Sequence, residues 1–353
     1  HFLASLIQFA ILDGKSIVDE MLYLFFEIPD MWSATLGLVL MIVVVFTSIN
    51  AARKKLSYEA WHIIHLLAYA SILIAVPHQF TTGSDIAGKP VQTLFWVSLY
   101  LFVALNVIWY RVLAPIVMNL ALGLKVTAVT RESSDTISVY VSGRGLERLG
   151  GQAGQFFMLR IMTKETWAKP HPFSISAAPN NKFVRFTVAN RGDDTKLMQS
   201  LKPGTPIMLE GPYGVFTEDR RTREKVVLVA AGIGIPPIRA LAEEMAARPH
   251  DVTIIYRLRS QEDAALLAET RALAAQRGFR LIELEGRRGV GTSWMNADYS
   301  GRSDLDRLKD LVPDIAESDV YVCGPTAWTH AVEKTMRAAG VAEQQIHAEE
   351  FAW

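Results

Sequence analysis

The chain has 353 residues, enough for two or three domains, and its 36 basic side chains balance 36 acidic ones, so no bulk charge draws it to nucleic acid. One cysteine excludes an intrachain disulfide framework and any Cys-rich zinc or iron–sulfur site. Half of the residues are apolar and mean hydropathy is positive at +0.19, with the excess concentrated before about residue 120. The chain opens at His1 with no methionine, basic n-region or signal peptide, and reads as a chain entered in the middle.

Four apolar stretches come first, at residues 1–12, 31–49, 61–76 and 91–118. A span needs roughly 20 mostly apolar residues, so the last three qualify and the first is a stub. Continuous apolarity without a polar face argues against buried soluble helices. The connection over residues 13–30 is net acidic, 79–89 is nearly neutral, and Arg53, Lys54 and Lys55 cluster between the second and third stretches. By the positive-inside rule that basic cluster is cytoplasmic, and everything after Arg111 is delivered to the cytoplasmic side. Trp96, Trp109 and Tyr110 are candidate interfacial anchors.

The third stretch carries the histidines. His62 lies at its cytoplasmic edge and reads as an interfacial residue, whereas His65 falls within it and His78 follows near its far end. Ionisable side chains at membrane depth are expensive and usually functional. Thirteen residues separate His65 from His78, a helical rise of ~20 Å on nearly one face. That spacing suits two haem groups stacked across the bilayer, each taking one imidazole from this helix. His1 is the candidate partner of His78, and the spacing places the partner of His65 upstream of residue 1.

From Leu124 the rhythm changes to short strands at 125–129, 136–141, 155–159, 183–188 and 206–209, separated by Gly- and Pro-rich turns, which predicts a small antiparallel β-barrel. Within it, Ser174 and Ser176 flank Ile175, so two hydroxyls share a strand face beside Phe173. The buried run 226–230 then leads into Gly232-Ile-Gly234-Ile-Pro236-Pro237 and a helix over 238–246. Glycines at such a strand-to-helix turn let the backbone approach a diphosphate. Further βα units (251–256, 263–276, 280–284, 319–323 and 327–339) predict a parallel α/β sheet of Rossmann type, with Gly232, Tyr256 and Cys323 at the carboxyl ends of its strands.

In order, these pieces resemble the ferric reductase and NADPH oxidase superfamily, and the portion after the spans resembles the ferredoxin–NADP⁺ reductase fold. The resemblance rests on Ser57-Tyr-Glu-Ala-Trp-His-Ile-Ile-His65, the histidine spacing, His171-Pro172-Phe173-Ser174-Ile175-Ser176, Gly211-Pro-Tyr-Gly214, Gly232-Ile-Gly-Ile-Pro-Pro237, Cys323-Gly324-Pro325 and Glu349-Glu-Phe351. It implies a transmembrane haem domain over 1–120, an FAD domain over 121–222 and an NAD(P)H domain over 223–353. It implies that Phe173 packs on the flavin with Ser174 near its reactive nitrogen, that His171, Pro172 and Ser176 help hold FAD, and that Thr195 meets the FAD diphosphate. Gly232, Gly234 and Pro236 match the NAD(P)H phosphate loop, and Cys323 and Gly324 lie near the nicotinamide. Phe351, or Trp353 in its place, matches the aromatic that covers the flavin. Six spans are expected of the family, and the chain shows three and a fragment.

Arg257 and Arg259 follow the second nucleotide-domain strand and suit a 2′-phosphate, favouring NADPH over NADH, unless they pair with Glu262 and Asp263. The reading is an integral membrane oxidoreductase passing electrons from NADPH through FAD and two b-type haems to oxygen or a ferric chelate. A haem-free anchored flavin reductase, a reductase for a periplasmic partner and a cofactor-binding sensor are the alternatives. No calcium-binding loop is present.

Overall fold

The computed structural model describes residues 2–53, 55–56, 58–83, 86–163, 166–167, 169–289, 291, 293–297 and 301–351, so His1 and Trp353 lie outside the described residues. The chain divides into two compact units, residues 1–111 and 112–353.

The first unit is helical, with α1 (Phe2–Asp13), α2 (Ile17–Glu27), α3 (Met31–Ser48), α4 (Asn50–Arg53), α5 (Tyr58–Thr81) and α6 (Pro90–Ile108). Three apolar stretches are long enough to cross a membrane: Met31–Ser48, Ala60–Thr81 and Pro90–Leu122. The acidic connection over 13–30 is largely a helix. Ser16 caps α2 by accepting from the Asp19 amide at 3.1 Å, and Asp19 and Glu20 occupy its first turn, where carboxylates suit the exposed amides. Helices α3 and α5 meet at Gly37, whose carbonyl accepts from Ser71 Oγ at 2.7 Å. A Cβ on Gly37 would lie 2.8 Å from the Ser71 carbonyl, so this approach requires glycine.

The second unit opens after a π-helical turn, Trp109–Leu113, with α7 (Ala114–Leu122). The Asn119 side chain fastens α7 by bonding both the amide and the carbonyl of Leu209 at 2.8 Å. Next come β1 (Lys125–Arg131), β2 (Thr136–Ser142), β3 (Phe156–Ile161), β4 (His171–Ser174), β5 (Val184–Ala189), α8 (Asp193–Met198) and β6 (Ile207–Tyr213). These strands form two antiparallel sheets, β1-β2-β5 and β4-β3-β6, joined by bridges at Lys125–Pro206 and Ile175–Phe186.

The remainder alternates: β7 (Lys225–Ala231), α9 (Ile235–Glu244), β8 (Val252–Leu258), α10 (Leu267–Arg277), β9 (Arg280–Glu285), α11 (Asp304–Leu311), β10 (Ser318–Pro325), α12 (Thr326–Ala338) and β11 (Ile346–Phe351). The sheet is parallel throughout, in the order β11-β10-β7-β8-β9. Strand β7 is buried from Val226 to Ala230, as expected of a central strand covered on both faces. Helix α9 begins at Ile235, earlier than the sequence periodicity suggests, because Pro236 and Pro237 fit its first turn. Strand β11 and helices α8 and α11 have no counterpart among the elements expected from sequence, and β4 realises only the first part of the strand expected through Ser176. β4 spans only four residues, and β11 carries two consecutive acids that mask its strand character.

Candidate functional site

The antiparallel and parallel parts of the second unit are held together by charge. Arg185, on β5 and 3% exposed, donates to Glu269 of α10 at 2.7 and 2.9 Å and to the Ser176 carbonyl at 2.6 Å. Arg239 of α9 adds pairs to Glu243 and, at 3.1 Å, to Glu269. Burial works to raise the Glu269 carboxyl, but the Arg185 hydrogen bonds and the charges of Arg185 and Arg239 outweigh it and hold it below the ordinary range.

Between the two parts is a cleft of about 60 Å³ that brings together Pro172, Phe173, Ser174, Thr195, Pro236 and Phe351, with Ile233 and Thr187 completing its walls. They come from β4, β5, α8, the Gly232–Gly234 turn, α9 and β11, so the cleft exists only when all of these are in place. Gly232 has φ +51° with open space beside it, whereas a Cβ on Gly234 would lie 2.1 Å from the Cys323 carbonyl. One glycine therefore serves the turn and the other the close approach of α9 to β10.

Parallel register sets Cys323 of β10 beside Glu349 of β11. Ser174 Oγ donates to Glu349 Oε1 at 3.2 Å. Burial pushes the Glu349 carboxyl up to about 7, and the Ser174 hydrogen bond only partly opposes that. Burial also drives the Cys323 thiol well above its usual range, with the Glu349 charge adding to it. The sequence places Ser174, Cys323 and the Glu349-to-Phe351 motif at the site, but the pairing of Glu349 with Ser174 and Cys323 depends on a strand register that spacing does not reveal.

Other expected residues sit elsewhere. Ser176 lies past the end of β4, fully buried, and its hydroxyl donates to the Arg185 carbonyl at 3.2 Å and accepts from Arg185 Nε at 3.0 Å. His171 begins β4 with its ring 6.3 Å from that of Phe173. Thr195 Oγ1 accepts from the Arg191 amide at 2.8 Å and donates to the Gly192 carbonyl at 3.0 Å, fixing the turn into α8. Gly324 follows Cys323, and a Cβ there would strike the Trp328 ring at 2.6 Å.

Arg257 is 9% exposed and donates to the carbonyls of Leu258, Leu284 (3.0 Å) and Gly286 (2.7 Å). It pairs with neither Glu262 nor Asp263. Burial, then the charge of Arg288, lowers its pKa. Arg259 is exposed at the end of the same strand. A larger cavity of about 680 Å³, lined in part by Ser293, Asn296, Arg302, Arg307, His330 and Lys334, opens between α12 and the segment after β9. Trp328 Nε1 ties these elements by donating to the Trp294 carbonyl at 2.8 Å.

In the first unit, His65 stacks on Trp61 at 4.9 Å and its Nδ1 lies 3.3 Å from Ser48 Oγ. Ser48 already gives its proton to the Val44 carbonyl at 2.7 Å, so His65 Nδ1 is the donor. His78 Nδ1 lies 2.5 Å from the Ala75 carbonyl and is likewise a donor. With each Nδ1 engaged in this way, Nε2 of each ring is the nitrogen left for an iron ligand. Among the described residues, no group of three or more His, Cys, Asp or Glu side chains could hold a free metal ion.

Comparison with known proteins agrees with this layout. Residues 1–76 match the family model of the ferric reductase like transmembrane component, and residues 228–334 match that of the oxidoreductase NAD-binding domain. The flavohemoprotein of Bordetella pertussis is 28% identical over 251 residues, covering 64% of this chain and 60% of that protein. An NADPH oxidoreductase of Mycobacterium tuberculosis is 27% identical over 239 residues, covering 65% and 59%. The chain thus spans about 60% of the length of these curated relatives.

Among solved structures, the FAD/NAD-binding domain of nitric oxide dioxygenase from Vibrio cholerae superposes with a TM-score of 0.52 at 24% identity, covering 65% of this chain and 98% of that one. Flavohemoglobin from Malassezia yamatoensis gives 0.54 at 20% identity, covering 95% and 84%. Residues 1–76 thus resemble a ferric-reductase-like transmembrane component, residues 228–334 resemble an oxidoreductase NAD-binding domain, and the second unit has the fold of these reductase modules. The two family models fall on the helical unit and on the parallel-sheet portion of the second unit.

Proposed function

We propose that the protein moves electrons from NADPH on the cytoplasmic side, through FAD and two b-type haems, to a small acceptor across the membrane, either oxygen or a ferric chelate. The observation that carries this reading is the histidine pair on α5, because both rings engage Nδ1 and leave Nε2 for a metal, from a helix of membrane-spanning length.

Bound flavin would accept a hydride and release electrons singly, and the haems would conduct them. The chain's own residues supply the surroundings. Phe173 and Phe351 would enclose the flavin ring, Thr195 would meet its diphosphate, and Gly232 would give the nicotinamide dinucleotide room at the strand end. Ser174 and Glu349 form a hydrogen-bonded pair whose carboxyl, near pKa 7, can hold or release a proton at neutral pH. The neutral Cys323 thiol offers no charge to repel or trap the nicotinamide. Preference for NADPH would come from the exposed Arg259 together with the basic lining of the large cavity, His330 and Lys334 among it, and not from Arg257, whose guanidinium is committed to carbonyls.

Anaerobic stopped-flow absorption of the full-length protein, reduced with NADPH and then mixed with oxygen or a ferric chelate, tests this. Faster haem reoxidation by oxygen with superoxide release identifies an oxidase, and faster reoxidation by the chelate a ferric reductase. Absence of any haem signal would leave an anchored flavin reductase.

A further inference from the structure

The stretch Pro90–Leu122 is 33 residues long and apolar, so at a helical rise of about 1.5 Å per residue it extends about 50 Å along the chain. A bilayer with its headgroups is about 40–45 Å thick. Leu122 closes that stretch and is itself buried in the core of the second unit.

Backbone bonds show what surrounds that point. The Leu122 carbonyl accepts from the Arg144 amide at 2.8 Å, the Leu124 carbonyl from Ile207 at 3.0 Å, and the Pro206 carbonyl from Met162 at 3.0 Å. The turn after β2, the start of β6 and the loop after β3 thus share one edge with the end of α7. On that loop Thr166 is 4% exposed and turned inward, donating to the Ile161 carbonyl at 2.9 Å. Its neighbour Trp167 is 58% exposed and Met162 38%. Exposed cations stand around them: Lys125, Arg144, Lys169 and Lys202.

An exposed tryptophan ringed by lysine and arginine is the composition of a membrane-interface anchor. We propose that this edge is a lipid-docking surface, with Trp167 and Met162 entering the headgroup boundary and the surrounding cations facing lipid phosphates. The proposal rests on reading residues 90–122 as a membrane span.

Cys323, the chain's single cysteine, is fully buried, so a nitroxide can be directed to an introduced thiol. Trp167→Cys, Val103→Cys and the exposed control Arg248→Cys are labelled in the full-length protein. Each is placed in nanodiscs of phosphatidylcholine alone or with a third of phosphatidylglycerol, and collisions with oxygen and with a water-soluble nickel chelate are measured. The oxygen-to-nickel ratio at 167 is expected to exceed that at 248 several-fold and to rise further with the anionic lipid. A hydrocarbon signal at 103 with equal ratios at 167 and 248 would overturn the docking surface alone. Shielding of 167 from both reagents would show a protein contact and also overturn it. An aqueous signal at 103 would overturn the span reading and the docking surface with it.

Discussion

The two units of this chain solve the burial problem in opposite ways. In the reductase unit, side chains as large as Trp294, Tyr256 and Tyr321 are fully enclosed by protein, and the sheet between them has little freedom. In the helical unit, large residues such as Leu73, Phe102 and Leu105 remain 64–70% exposed, the pattern of a stretch long and apolar enough to cross a membrane. Specific contact there falls to small and polar groups, such as Gly37 against Ser71 and Ser48 against His65. Where apolar surface is everywhere, it does not specify a partner, and hydrogen bonds do. In the reductase unit the position is reversed: apolar packing builds the sheets, and buried charges such as Arg185 fix how they meet.

The sharpest way to break this contrast is at the histidines. His78→Ala and His65→Ala are each expected to remove one b-type haem from the absorption spectrum and to abolish transmembrane turnover, while NADPH-to-dye reduction at the reductase unit survives. Retention of both haems in either variant would end the haem assignment.

In the reductase unit the largest effect is expected from Glu349, where the carboxyl is held at about 7 against an ordinary value of 4.5. The folded protein then binds the extra proton, so stability falls as pH rises between these values and stays lower above pH 7. Glu349→Gln removes that slope, worth up to about 3 kcal/mol by pH 8 at 1.36 kcal/mol per unit. Chemical denaturation of the isolated variant and parent across pH 5–8 reads it, and parallel curves would show that the carboxyl titrates normally.

Ser174→Ala should slow flavin reduction by NADPH about 10²-fold in single-turnover absorption, with FAD content unchanged. Glu269→Gln leaves Arg185 with a weaker partner and should cost about 2 kcal/mol of stability, less than a fully buried pair because Glu269 is 39% exposed. A thermal melt checks it, and no shift would mean the two sheets are held by packing alone. Smallest is Ser48→Ala, which frees His65 Nδ1. Haem affinity at that position should fall about tenfold, with the His78 haem unaffected, as read by titration of haem into the apoprotein.

Much of this organisation is legible in the sequence because it follows from local composition. The apolar run in α3 and the buried strand ahead of Gly232 both announce themselves, since hydropathy and turn chemistry act over a few residues. Helix α2 is hidden, as its Ser16 cap and first-turn acids look like a polar connection until the helix is there to be capped. The Glu349–Cys323 register and the burial of Arg257 are tertiary facts, set by how strands far apart in sequence align. Arg257 is instructive: the residue type is right for a phosphate, but its side chain closes over the ends of β8 and β9 instead.

Cys323 carries one more consequence. A site that hands electrons onward one at a time is exposed to peroxide whenever oxygen takes them early, and the thiolate is the form of cysteine that peroxide attacks. Here the sole sulfur of that kind is sealed from solvent and held protonated by its surroundings. On the proposed function, the protein would place its most oxidisable type of side chain beside redox chemistry in the state least able to be damaged by it, and loss of activity under peroxide should not track sulfenic acid formation at Cys323.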